Sequence, residues 1–239
     1  MPNNAVPNKI SMLMTRPHAA SRSFVASLPK NLLARLKPVY NPLIKIISLK
    51  YGVSISNTEA AIFTSMNGVI HGPKGNGQKA YCVGAATTQI ALEHGWAAHM
   101  YGETAEAFLS NLINNPPALD LIHLSGIHTR GNIASQLMQN GLKTKNVAVY
   151  DQITQHLKKD VNQLILSGAQ MLVPLFSPRT SKQFSIQVPR APSLQLVALS
   201  QAVAQNLDTT SYAGVIIVTA PTAAAMQSAI SLWVEGQPA

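Results

Sequence analysis

The sequence predicts an α/β protein of two lobes built from a duplicated structural unit, and three observations carry that prediction. Short apolar runs alternate with longer stretches of helical period, the pattern of βα units feeding a mostly parallel sheet. Three strand–turn–helix segments from the first half of the chain recur in the same order in the second half. The stretches left over pair with each other as well.

The elements are read in chain order. The apolar run at 10–15 is the first strand, 22–34 the helix behind it and 43–48 the next strand. Strands follow at 61–64 and 80–83, then a helix at 87–94 that stops at Gly95. A strand at 98–101 leads to a helix at 104–113, with Thr104 as its N-cap. Strands at 119–124 and 146–150 flank a helix at 131–140, which ends at Gly141. The final series is a helix at 161–168, strands at 171–176 and 194–199, a helix at 202–207, a strand at 214–218, and a helix at 222–235 capped by Thr222.

The repeat aligns Ile62-Phe63-Thr64-Ser65-Met66-Asn67 with Leu175-Phe176-Ser177-Pro178-Arg179-Thr180, each an apolar strand ending in a turn that carries Ser. The segment from Val83-Gly84 to Leu92 aligns with Leu199-Ser200 to Leu207, and Gly102-Glu103-Thr104 with Ala220-Pro221-Thr222. Leu13 to Pro17, a helix, then Pro38-Val39-Tyr40 resembles Leu124-Ser125-Gly126, a helix, then Val147-Ala148-Val149-Tyr150. Two such lobes place the loops after their strands around a common cleft, where open α/β sheets bind ligands.

Charged residues make up only 11% of the 239 residues, yet Lys and Arg outnumber Asp and Glu by 18 to 9. The bias points to an anionic partner. Nucleic acid and acidic membranes are met by dense Lys/Arg runs, and Lys158-Lys159 and the spaced Lys143 and Lys145 are solvated helix ends and loops, so a small polycarboxylate or phosphate ligand is expected, with no nucleic acid and no membrane. The single cysteine, Cys82, excludes an intrachain disulfide and sits in a run that reads as a buried strand. With no apolar run of membrane-spanning length and no secretory h-region, a cytoplasmic monomer is expected.

The run Gly72-Pro73-Lys74-Gly75-Asn76-Gly77-Gln78-Lys79 precedes a strand, whereas a phosphate loop follows one and opens a helix, so it reads as a surface loop. The pairs His94/His99 and His123/His128 are five apart, unlike a helical zinc pair, and no metal is expected. There is no Gly-x-Ser-x-Gly elbow, no spaced carboxylate pair and no Cys/His nucleophile pair. Chemistry that rests on binding and orientation, with one proton donor, suits the chain. The loops after the strands are rich in Ser, Thr, Gly and Arg. Each alone is a helix N-cap, but six at one end of two sheets form a surface suited to several carboxylates. The candidate binding residues are Arg16, Thr64, Ser65, Gly84, Thr87, Ser125, Gly126, Arg130, Ser177, Arg179 and Ser200.

The ordered set Thr15-Arg16-Pro17, Phe63-Thr64-Ser65, Cys82-Val83-Gly84-Ala85-Ala86-Thr87, Thr104-Ala105-Glu106-Ala107-Phe108-Leu109, Gly126 with Arg130, Val149-Tyr150 and Phe176-Ser177-Pro178-Arg179 resembles the uroporphyrinogen-III synthase family over roughly residues 12–232. The resemblance implies two flavodoxin-like lobes with parallel sheets joined by a two-stranded linker, one lobe formed by residues 1–50 and 153–239 and the other by 51–152. It implies conversion of the linear hydroxymethylbilane to uroporphyrinogen III, with loss of water and inversion of the last pyrrole ring, and no cofactor. The polycarboxylate substrate accounts for a basic protein with Arg in its loops. Loss of the hydroxyl needs a donor still protonated near neutrality, which a phenol satisfies, and the resemblance assigns that role to Tyr150. The chain departs from the family at Leu199-Ser200-Gln201-Ala202-Val203-Ala204, where an Ile-Gly-x-x-Thr-Ala loop is usual. Ser200 or backbone N–H groups would have to make that contact. A non-catalytic two-lobed binding protein for an anionic ligand is the alternative, and lack of an export signal speaks against it. A Rossmann nucleotide enzyme is excluded by Thr15-Arg16-Pro17, which stands where Gly-x-Gly-x-x-Gly would.

Overall fold

An apolar strand can bury both its faces only where helices cover both, and this chain is arranged that way twice. The computed structural model describes residues 9–129 and 131–238. In chain order the elements are β1 (Ile10–Met14), α1 (His18–Ala26), α2 (Lys30–Arg35), β2 (Leu36–Tyr40), β3 (Ile44–Ser48), β4 (Glu59–Phe63), α3 (Met66–His71), β5 (Lys79–Val83), α4 (Ala85–Glu93), β6 (Ala97–Gly102), α5 (Ala105–Asn114), β7 (Asp120–Gly126), α6 (Ile133–Gln139), β8 (Thr144–Thr154), α7 (Lys159–Leu166), β9 (Met171–Leu175), α8 (Pro178–Gln187), β10 (Ala191–Ala198), α9 (Gln201–Ala204), β11 (Tyr212–Ile217) and α10 (Ala223–Glu235). One compact unit takes the described residues up to Lys45 and those from Thr154 onward; the other is Ile46–Ile153. The chain passes between them on β3 and β8, which are neighbours in one sheet.

The first unit has the sheet order β11-β10-β9-β1-β2, with parallel pairing throughout. The second has β3-β8-β7-β4-β5-β6, parallel from β8 to β6. Strand for strand, β11, β10, β9, β1 and β2 occupy the places of β6, β5, β4, β7 and β8. The two halves therefore share one topology, entered at different points, as the sequence repeat predicts. The first unit has the flavodoxin-like order. In both, the direction of winding reverses once, between β1 and β9 and between β4 and β7.

Period-two alternation fills a core on each side of each sheet. Met12 and Met14 face the layer of α1, α2 and α10 with Phe24, Leu32 and Met226, whereas Leu13 faces α7, α8 and α9 with Ile165, Phe184 and Val203. In the second unit Ala61 and Phe63 pack under α3 and α4, and Ala60 and Ile62 under α5 and α6, with Phe108 and Leu112 buried. Each large apolar side chain removed from water in this way contributes about 1.5–3 kcal/mol.

Several expectations shift. The single helix expected at 22–34 is two, α1 and α2, because Pro29 has no N–H to continue a helix and instead stands as the N-cap of α2. Residues 36–40 form a strand despite Pro38, which an edge position tolerates. Helices α3 and α8 were not among the expected elements. The first has only six residues, and the second, Pro-Arg-Thr-Ser-Lys-Gln-Phe-Ser-Ile-Gln, buries only Thr180, Ser181 and Phe184, too few apolar groups for a helical stripe. The glycine-rich loop lies before β5 as expected, tied to the α4–β6 turn by Gly75 N–H donating to His94 O and Gly77 N–H to Gly95 O.

The duplicated caps are formed alike: Thr104 accepts from Ala107 N–H and Thr222 from Ala225 N–H. Thr222→Ala is expected to lower the stability of the first unit by about 1 kcal/mol, with Thr222→Ser close to unchanged, as read by urea unfolding followed by circular dichroism.

Candidate functional site

A parallel sheet sends every loop that follows a strand to the same edge, and ligands bind there where the winding reverses. In the first unit that point lies between β1 and β9. The ladder joining them covers Ser11↔Met171 and Met12↔Leu172 and stops short of Pro174, which has no N–H to donate. The two strand ends carry Thr15-Arg16-Pro17 and Ser177-Pro178-Arg179. The Arg16 guanidinium carbon stands 4.2 Å over the Phe176 ring, which meets Phe24 edge-on at 4.9 Å. Burial pulls the pKa of Arg16 down from its ordinary value, and among the described residues no carboxylate pairs with it. Beside it the Thr15 hydroxyl is fully buried without a hydrogen-bond partner among the described residues. A half-buried cation without a counter-charge is costly, and an anion with acceptor oxygens would relieve it.

Ser177 caps α8, accepting from Thr180 N–H at 3.2 Å and donating to Thr180 Oγ1 at 2.9 Å. Arg179 follows in the first turn of that helix, half-buried, where positive potential accumulates. Ser200 stands before α9 and makes no capping bond, unlike Ser65, Ser177, Thr104 and Thr222. The Ser200 turn differs from its counterpart in backbone and not in side-chain capping, which neither makes. Its counterpart Gly84 opens α4 at φ 77°, a left-handed conformation that Ser200, at φ −165°, does not adopt.

In the second unit the reversal lies between β4 and β7, and its polar groups are engaged with one another. Thr64 Oγ1 lies 3.1 Å from His123 Nε2, and Ser65 Oγ lies 3.3 Å from the Tyr150 hydroxyl. Tyr150 is 6% exposed, its ring laid over Gly126 so closely that a methyl there would stand 2.6 Å from Cε2. Gly126 is thus the floor of the tyrosine ring. Ser125 is buried and spends its hydroxyl on Asn146 Oδ1 at 3.1 Å and Gly126 O at 3.2 Å, and Thr87 is buried in α4 at 6% exposure. Neither is presented at the loop surface, as their places after strands had implied. Arg130 lies outside the described residues.

Sequence reasoning missed three participants. His123 is held neutral by burial, its pKa pushed down to about 4, with the Asn146 side chain opposing that shift. Its position inside a strand carries no motif. His128 Nε2 lies 3.3 Å from Asp151 Oδ1, next to Tyr150 in sequence, a pairing between residues 23 positions apart that spacing could not announce. Phe176, read only as strand, is the platform for Arg16. Cys82 is buried and its pKa pushed up to about 12, chiefly by burial, which leaves an unreactive thiol.

Fold and site together define a protein of two doubly wound α/β units whose strand-end loops carry Arg16, Ser177 and Arg179 in one unit and Thr64, Ser65 and Gly84 in the other. A family model described as uroporphyrinogen-III synthase HemD matches residues 34–228, and the chain belongs to the uroporphyrinogen-III synthase family, the cyclising lyases of haem biosynthesis. Among solved structures it is similar to uroporphyrinogen-III synthetase from Helicobacter pylori, at 16% identity and a TM-score of 0.67 over 94% of this chain and 99% of that one. It is also similar to a mutant uroporphyrinogen III synthase from the extremely thermophilic bacterium Thermus thermophilus, at 11% identity and a TM-score of 0.51 over 95% and 100%. Comparison with curated protein sequences gives no match.

Two outcomes follow from this geometry. Gly126→Ala is expected to displace the Tyr150 ring and destabilise the second unit by about 1–3 kcal/mol, seen as an altered near-ultraviolet circular dichroism spectrum and a lower urea midpoint. Because the folded-state pKa of His123 is depressed, its stabilisation is complete above about pH 6.5 and is lost as pH falls toward about 4. That amounts to roughly 3 kcal/mol, and His123→Gln should flatten the stability–pH curve over this window.

Proposed function

We propose that the chain binds hydroxymethylbilane through the loops after its strands and converts it to uroporphyrinogen III, with loss of water and inversion of the last pyrrole ring. The observation that carries the ligand class is Arg16: a half-buried guanidinium, stacked on Phe176, with no acidic partner among the described residues, at the reversal point of a flavodoxin-like sheet. An acidic side chain of the substrate supplies the missing charge. The first unit contributes Arg16, Ser177, Arg179 and Ser200. The second contributes Thr64, Ser65, Gly84 and Gly126, with Arg130 as a further cation and Thr87 and Ser125 holding the loops from behind.

Ring closure without inversion needs no enzyme, so the protein's work is to hold the substrate in the geometry that inverts the last ring and to favour departure of its hydroxyl. Tyr150 is the proton donor of this reading, supported by a hydroxyl that lies at the reversal point of the second sheet beside Ser65. The reading includes a monomeric enzyme of the cytoplasm, supported by a lone cysteine that can form no intrachain disulfide.

Incubation of the purified protein with freshly generated hydroxymethylbilane, followed by oxidation and chromatographic separation of the porphyrin isomers, should give type III above the enzyme-free control; type I alone would refute the assignment. Arg16→Ala is expected to raise KM about 10–100-fold, the loss of one charge-assisted contact, with a smaller change in kcat.

A further inference from the structure

We propose that Ser65 is the group that hands the proton to the departing hydroxyl, and that Tyr150 acts through it. The inference rests on the synthase reading above and assigns the order of proton transfer within that site.

Tyr150 is too enclosed to meet a substrate broadly. Its ring packs on Gly126, its backbone carbonyl accepts from Ile127 N–H, and it is 6% exposed. Among the described residues its hydroxyl makes a polar contact with Ser65 Oγ at 3.3 Å. Ser65 is less buried and stands at the end of β4, on the edge where the winding reverses. Its oxygen also accepts from Gly68 N–H at 3.4 Å, as the N-cap of α3. A serine hydroxyl has two acceptor sites and one donor. In the proposed arrangement the Tyr150 hydroxyl donates to the same oxygen as Gly68 N–H, so both acceptor sites are filled and the Ser65 proton is free to point outward.

The step balances without a co-reactant. As the bond between the pyrrole methylene carbon and its hydroxyl oxygen breaks, that oxygen takes the proton of Ser65 and leaves as water. Ser65 takes the proton of Tyr150 in the same motion, so the serine is unchanged and the phenol becomes phenolate. The electron pair of the broken bond leaves with the water, and the cation formed on the methylene is attacked by the substituted carbon of the last ring, giving a spiro centre. The bond from that carbon to its original bridging methylene then breaks and re-forms at the unsubstituted carbon of the same ring, which inverts the ring and leaves one hydrogen on that carbon to be lost as a proton. The proton released when the closed macrocycle regains its pyrroles returns through Ser65 to the phenolate. An alcohol alone is too weak an acid for this, and the phenol behind it supplies the acidity.

Capping of α3 is the competing role for Ser65, and one variant separates the two. Asn caps helices as well as Ser, but its amide cannot pass a proton on. Ser65→Asn is expected to leave the thermal midpoint in place and to lower kcat for type III formation about 10–100-fold with KM changed less than about threefold, while Ser65→Thr recovers most of the lost turnover. Ser65→Asn/Tyr150→Phe should be no slower than the slower single variant, since both break one relay. The wild-type rate in mixtures of light and heavy water should bow downward, as for two protons in flight, and become linear in Tyr150→Phe. A Ser65→Asn enzyme with near wild-type kcat, or single-variant losses that multiply in the double variant, would overturn the relay while type III formation by the wild type leaves the synthase reading standing. A wild type that yields only type I removes both.

Discussion

Burial of both faces of a parallel sheet is the constraint from which the rest of this structure follows. Strands such as Met-Leu-Val-Pro-Leu and Glu-Ala-Ala-Ile-Phe can lose water on both sides only if each crossover carries a helix across one face. Strands that run parallel then send every loop that follows a strand to one edge of their sheet. Six segments rich in Ser, Thr, Gly and Arg become neighbours along two sheet edges for this reason, although they are scattered along the chain. The shared strand order of the two units makes the point twice, since β1 and β9 meet in one as β7 and β4 do in the other.

The two reversal points solve different problems. In the first unit a charge is left incomplete: Arg16 is stacked, partly desolvated and, among the described residues, without a carboxylate, beside the unused Thr15 hydroxyl. In the second the polar groups complete one another, Thr64 with His123 and Ser65 with Tyr150, over a glycine that lets the phenol lie flat. In the proposed reading the incomplete site draws an anion, and the preorganised one moves a proton with little rearrangement. The Ser200 turn, set against Gly84 at positive φ, marks where the backbones of the two copies diverge.

Within the local sequence lay nearly all of the strand and helix pattern, because apolar period and cap residues act over a few positions. Thr104 and Thr222 announce their helices, and Gly141 a helix end, by chemistry that needs no tertiary context. The elements it did not reveal were those whose burial is supplied by others. Helix α8 carries too little apolar surface to declare itself, and the Pro38 strand exists because an edge place was open to it. The same distinction runs through the site. The sequence by itself determined which residue types would gather at the strand ends, and with them the positive charge and the duplicated plan. Only the tertiary structure decided which of them are presented and which are consumed: Ser125 and Thr87 turned inward, Phe176 placed under Arg16, Gly126 placed under Tyr150. These are contacts between residues far apart in the chain, fixed by strand order and close packing, and no local pattern encodes a side chain's partner across a sheet.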